Sequence, residues 1–146
     1  MLNVPTKIRY GVRCTIDLTR YYPNSVSISQ IARDLQLSNK YLEQMFSRLK
    51  AAKLVCAKKG IKGGYRLCRP PEKILVSEII EALNGPVSLV SCVLNSKVCK
   101  LSNHCSARTL WVKMTDALNH ATKGLTLKEL AYSELNTSQI LSSKKI

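Results

Sequence analysis

Ile28, Ile31, Ala32 and Leu35 stand at i, i+3, i+4 and i+7, the spacing of one helix face. Ser27 precedes that stretch, and Gln30 three residues on completes a capping-box pattern. A short turn leads to Ser38, the expected N-cap of a second helix. Leu37 and Leu42 hold the staple positions around this cap, and Leu42, Met45, Phe46 and Leu49 supply a buried stripe. Asn39, Lys40, Glu43, Gln44 and Ser47 fall on the opposite face. Short polar side chains at the start of a second helix suit the base edges of a DNA groove. Two strand-like runs follow, Leu54-Val55-Cys56-Ala57 and Tyr65-Arg66-Leu67-Cys68, joined by Lys58-Lys59-Gly60-Ile61-Lys62-Gly63-Gly64. The pattern predicts a mainly α chain built on a winged helix-turn-helix.

The flanking segments extend this pattern. Ile8, Val12 and Ile16 recur every four residues in a first helix expected from Thr6 to Tyr22, which Pro23-Asn24 stops. Its expected role is to brace the recognition helix. Cys14 reads there as a small buried hydrophobe. Lys7 and Arg9 are open either to phosphate or to solvent. Pro70-Pro71 ends the ribbon, and Val76 to Leu83 predicts a short helix closed by Gly85 and Pro86. From Val87 to His104 no period holds, and loops of that length tend to be functional.

A long helix is expected from Ser106 to Thr122. Leu110, Trp111, Met114, Ala117, Leu118 and Ala121 form an apolar stripe on it, which needs a cover. A twin helix from a second subunit is the expected one, and folding back on its own domain is the alternative. Thr126 and Glu129 mark a capping box for a last helix, Leu127 to Leu135. The expected organisation is a DNA-binding unit over 1–85, a cysteine loop over 86–105, a dimerisation helix and final short helix over 106–135, and a fraying tail over 136–146.

Charge narrows the partner. The chain carries a net +14 with a pI near 9.8, which favours a polyanion. Nine Lys/Arg and one acidic residue lie between Gln44 and Lys73. Beside a helix-turn-helix pattern, so one-sided a stretch reads as a phosphate-contacting face rather than a merely solvated one. No apolar run reaches the length of a bilayer span, and Met1 to Tyr10 lacks a signal-peptide core, so a soluble, cytoplasmic protein is expected. Nine acidic residues and two histidines form no nucleophile–base signature, and a strand rather than a helix follows the glycines of 60–64. An enzyme is therefore not expected.

Six cysteines without a secretory signal argue against a disulfide framework and for metal or redox use. Cys92, Cys99 and Cys105 lie at C-x6-C-x5-C in the aperiodic loop, a spacing that points to a soft-metal site. Thiolates bind zinc or iron–sulfur clusters, and the C-x2-C knuckle of common zinc sites is missing. A metal-free thiol switch is the alternative. His104, adjacent to Cys105, is the nearest fourth donor, with a solvent-exposed or capping role as its alternative; His120 lies far along the long helix. Cys56 and Cys68 face each other across the ribbon and are placed to meet, but buried packing is the expected account.

Together these residues resemble a family. Ser38 to Leu49 resembles the recognition helix of the Rrf2 family of bacterial repressors, and Gly60-Ile61-Lys62-Gly63-Gly64-Tyr65-Arg66-Leu67 matches its G-x-x-G-G-Y-x-L wing. Thr6 to Tyr10 and Leu125-Thr126-Leu127 look like its first and last helix signatures. The resemblance implies a dimeric repressor on a palindromic operator in double-stranded DNA. Glu43 and Gln44 would lie in the major groove and the wing in the minor groove. The expected contact set is Ser38, Asn39, Lys40, Tyr41, Glu43, Gln44, Arg48, Lys58, Lys59, Lys62, Gly63 and Gly64.

Members with three cysteines in this loop, such as those like IscR, NsrR and RirA, carry an iron–sulfur cluster, commonly 2Fe–2S and in some 4Fe–4S. They sense cluster supply, iron, nitric oxide or redox state. Carried over, Cys92, Cys99 and Cys105 would be ligands. Two positions depart from the pattern. Arg108 stands where IscR-like proteins have a ligand histidine, and Lys7-Ile8-Arg9 has no counterpart to the carboxylate of NsrR-like proteins. A cluster-free regulator of the CymR sort is expected to be less similar, because it lacks the full trio.

Overall fold

The computed structural model describes residues 3–61 and 63–133; Lys62, Leu135 and the tail from Asn136 to Ile146 lie outside the described residues. The elements run α1 (Thr6–Thr19), α2 (Ile28–Leu35), α3 (Asn39–Ala51), β1 (Val55–Lys58), β2 (Gly64–Leu67), α4 (Val76–Asn84), α5 (Ser91–Leu94) and α6 (Ser106–Thr122), and residues 127–133 are helical. The two strands pair antiparallel. Among the described residues no helix is long and apolar enough to cross a membrane.

The core forms where the predicted stripes meet. Leu18 of α1, Ile31 of α2, Leu42, Phe46 and Leu49 of α3, Leu67 of β2 and Ile79 and Leu83 of α4 are all buried together. Burial of each such side chain contributes on the order of 2 kcal/mol before entropy is counted. Leu127 joins the same cluster from the end of the chain. It is held there by Leu127 N–H donating to the Ile74 carbonyl at 2.8 Å and Val76 N–H to the Leu125 carbonyl at 2.9 Å.

α1 stops at Thr19, short of the expected Tyr22. Arg20, Tyr21 and Tyr22 donate to carbonyls three residues back, so the helix tightens into a final narrow turn before Pro23. α1 packs against α4, β2 and α2, and its ring contact with α3 is Tyr10 edge-on to Tyr41 at 6.1 Å. α4, α2 and β1 pack along α3, and α1 meets it through the shared core and the Tyr10–Tyr41 contact. Gly11 makes the α1–α4 approach close, since a Cβ there would overlap the Leu83 side chain. Cys14 is buried as expected, and burial first, then the Asp17 charge, pushes its thiol up to about 12.

The aperiodic segment contains α5 and a narrow helical turn, Ser96–Val98. On α6, Thr115 is the buried position, and its hydroxyl accepts from Leu89 N–H at 3.4 Å. Leu110 and Leu118 of the predicted stripe are 52% and 45% exposed, Ala117 and Ala121 are exposed, and Trp111 and Met114 are half-buried. α6 touches its own chain through α4 and α5 while leaving much of the stripe open.

Candidate nucleic-acid interface and cysteine loop

Local capping sets the angle of α3, the expected reading helix. Ser27 Oγ accepts from Gln30 N–H at 3.2 Å to start α2. The expected reciprocal bond is not what Gln30 makes: its side chain donates to Asp34 at 2.7 Å and accepts from Arg33 at 2.6 Å. Gln36, with φ 54°, turns the chain, and Ser38 Oγ accepts from Tyr41 N–H at 3.3 Å to start α3. Asn39, Lys40, Glu43, Gln44 and Ser47 are then exposed along α3. Ser38 is exposed too, with its hydroxyl engaged in the cap, while Tyr41 is half-buried against Tyr10. Arg48 is exposed and reaches the Leu83 carbonyl at 3.4 Å, tying α3 to the end of α4.

The wing is fixed to this unit at two places. Val26 and Tyr65 exchange backbone hydrogen bonds at 2.9 and 2.8 Å, and the Tyr65 ring stacks on Phe46 of α3 at 4.4 Å. Gly64, with φ +151°, sits against the Val26 carbonyl where a Cβ has no room. Lys58, Lys59, Gly60 and Ile61 are exposed at the tip, Ile61 wholly so, and Gly63 N–H closes the turn on the Gly60 carbonyl at 2.8 Å. Arg69, past the ribbon, donates to Glu78 at 2.6 Å. Burial raises the Glu78 carboxyl, but the Arg69 hydrogen bond, the Leu75 N–H and the Arg69 charge outweigh it and hold the group below its ordinary value.

The ribbon also corrects an expectation. Cys56 and Cys68 are joined by a disulfide, not packed as separate thiols. Cys56 lies opposite Arg66 and Leu54 opposite Cys68, so the two cysteines are diagonal neighbours on one face. Their Cα atoms are 5.1 Å apart, closer than a usual diagonal spacing of about 7 Å and within disulfide reach.

Cys92, Cys99 and Cys105 are free and half-buried. Cys92 lies in α5, Cys99 ends the turn after it, and Cys105 caps the start of α6. Arg108 Nε–H donates to the Cys92 carbonyl at 3.1 Å, joining α5 to α6. Ser102 fastens the intervening chain, its hydroxyl on the Ser96 carbonyl at 2.6 Å and its N–H on the Cys99 carbonyl at 3.1 Å. His104 is exposed, and its N–H is used on the Leu101 carbonyl. Among the described residues no three His, Cys, Asp or Glu side chains gather closely enough to hold a metal ion. In donor chemistry the loop fits an iron–sulfur cluster, offering three free soft ligands on one short segment. It is not a preassembled site, and Arg108 supplies no fourth donor.

Comparison with known proteins agrees with this architecture. A family model described as Rrf2, iron-dependent transcriptional regulator, matches residues 4–133. The HTH-type transcriptional regulator CymR of Bacillus subtilis is 34% identical over 131 residues, covering 89% of this chain and 90% of CymR. The CymR structure, described as the global cysteine regulator of that organism, matches with a TM-score of 0.73 and covers 91% of this chain and 98% of its own. IscR of Aliivibrio salmonicida is 31% identical over 130 residues, covering 88% of this chain and 77% of IscR. The T. potens IscR structure matches with a TM-score of 0.74 at 30% identity, covering 91% of this chain and 88% of its own. The expectation that CymR is less similar is therefore corrected: its identity is no lower than that of these IscR proteins. These relatives are transcriptional regulators, not enzymes. The family expectation is borne out, and this chain belongs to the Rrf2 family of transcriptional regulators.

Proposed function

We propose that the chain is a homodimeric repressor whose affinity for a palindromic operator is set by an iron–sulfur cluster held by Cys92, Cys99 and Cys105. One observation carries the reading: three free, half-buried thiols lie on the segment that leads into α6, the helix with the open apolar stripe. Asn39, Lys40, Glu43 and Gln44 of α3 enter the major groove, and Lys58, Lys59 and the glycine-rich tip follow the minor groove. The stripe around Leu110, Trp111, Met114, Leu118 and Ala121 meets its twin and spaces the two reading helices. When bound, the cluster supplies a link among three thiolates that responds to iron and oxidants. The chain's own part is to pass a shift of the loop onward. Arg108 ties Cys92 to α6, and Thr115 ties α6 to Leu89. The test is the anaerobic absorption spectrum with iron and sulfide analysis. Cys92→Ala, Cys99→Ala and Cys105→Ala are each expected to lose visible absorbance and change operator affinity while remaining folded dimers. An unchanged spectrum in all three overturns the reading.

A second reading is a cluster-free regulator controlled by thiol oxidation, a small molecule or a partner protein. Arg108 in the expected ligand place and the similarity to CymR favour it. Colourless protein from anaerobic preparation that still binds DNA tightly selects this one.

A further inference from the structure

We propose that Cys56 and Cys68 form a second thiol-chemical site, a dithiol–disulfide pair at the root of the wing that reacts with low-molecular-weight disulfides and sets the wing's grip on DNA. The proposal rests on the DNA-binding role of the family, not on the iron–sulfur reading. Three observations carry it. The pair is closed while Cys92, Cys99 and Cys105 are open, so the chain separates its thiols into two kinds. Both cysteines are half-buried residues near the surface of the ribbon, unlike Cys14, which is enclosed in the core. The register places Lys58 and Arg66 on the same face as the pair, among positive charges that attract an anionic disulfide and favour thiolate attack.

The position makes the bond consequential. Cys68 N–H donates to the Leu54 carbonyl at 3.1 Å, and Leu54 N–H donates to the Leu49 carbonyl of α3 at 3.0 Å. The crosslink thus lies two residues beyond the place where the ribbon leaves the reading helix. A transcriptional regulator works beside DNA, in a compartment where thiols are kept reduced, and disulfides there are characteristically transient and sensory. In the forward step one cysteine thiolate attacks a small disulfide, forming a mixed disulfide and releasing one small thiolate. The second cysteine thiolate then attacks the cysteine sulfur of that mixed disulfide and releases the other. Two protons pass from the cysteines to the two leaving thiolates; the protein pair is oxidised and the small disulfide reduced. A small dithiol reverses it. The closed form holds the ribbon ready for DNA, and the open form must order it on binding.

The test uses the full chain with Cys92, Cys99 and Cys105 all changed to Ser, so that loop chemistry is absent. It is equilibrated in glutathione buffers of graded oxidation. Thiol alkylation with intact-mass analysis reads the pair, and binding to a duplex recovered by the protein from a random-sequence library reads the grip. Closure of one disulfide is expected, with about tenfold tighter binding in the closed form, within the range of ordinary coupling. The difference disappears when Cys56→Ser and Cys68→Ser are added. Circular dichroism of each variant confirms the fold. A pair that stays open in fully oxidised glutathione overturns the proposal, as does a pair that closes without changing affinity. The iron–sulfur reading stands or falls separately, on the spectrum of the chain that keeps its loop cysteines.

Discussion

The wing and the cysteine loop are both short excursions carrying cysteines, and they are built in opposite ways. The wing is pinned along its length by the strand ladder, the Val26–Tyr65 bridge, the Phe46–Tyr65 stack and the Cys56–Cys68 bond. The loop has two short helical turns, three free thiols and a handful of side-chain bonds, among them Ser102 to the Ser96 carbonyl and Arg108 to the Cys92 carbonyl, but among the described residues no strand ladder, ring stack or disulfide. Cations and glycines carried on a ribbon fixed at its root suit a surface that must present one shape to a regular duplex. Thiols on a segment with few fastenings suit a site that rearranges on loading, since a bound metal centre would supply the order that packing does not.

The strongest blow to this contrast falls on the far side of the loop. Leu110→Glu combined with Leu118→Glu is expected to dissociate the proposed dimer and to weaken binding to the proposed operator by about a hundredfold or more, as paired half-sites lose their joint grip. Sedimentation and equilibrium binding measure it, and a variant that remains dimeric would show that α6 is not the seam. Next comes the wing's root. Gly64→Ala forces a Cβ onto the Val26 carbonyl at a backbone angle that other residues resist. A loss of about 2–3 kcal/mol in urea unfolding is expected, with the absorbance of the proposed cluster retained. Arg108→His then sharpens the loop by adding a donor where the family resemblance expects one. Absorbance is expected to decay about tenfold more slowly in air; a decay no slower than wild type would mean that the imidazole does not reach the thiols.

The smallest effect concerns Glu78, which ties the wing's end to α4. Its folded pKa is depressed, so its stabilisation is complete above the unfolded value of 4.5 and is lost as pH falls through the lower folded value. Glu78→Gln is expected to melt slightly below wild type at neutral pH, with the gap closing below pH 4.5. The pair is about one-third exposed, so solvent screening keeps that gap small.

Much of the molecule was legible in the chain because its signals are local. The periodicity of Ile28 to Leu35, the Ser38 cap and the glycines between Lys59 and Tyr65 each act within a few residues. The Thr126–Glu129 box is equally local and closes as expected, with Glu129 accepting from Thr126 N–H at 2.8 Å. The disulfide was missed because it depends on register. Strand pairing sets Cys56 against Arg66, and only the diagonal brings Cys68 near. Gln30 was assigned to its own cap, but Asp34 and Arg33 compete for the same amide. Four residues of α5 are too few for any period to show. On α6 the apolar spacing found the open stripe, yet the position that docks is Thr115, whose value lies in a hydrogen bond to Leu89 rather than in hydrophobicity.

One arrangement has a mechanical consequence. Residues 85–125 depart from the C-terminal end of α4 and are clasped again at its N-terminal end, through Val76–Leu125 and Leu127–Ile74. α4 therefore behaves like the stave of a bow roughly 13 Å long, with the loop and α6 strung between its tips. The string is itself tied down where Thr115 meets Leu89, so a pull on the loop is carried first to the tip at Leu83, where Arg48 of α3 rests.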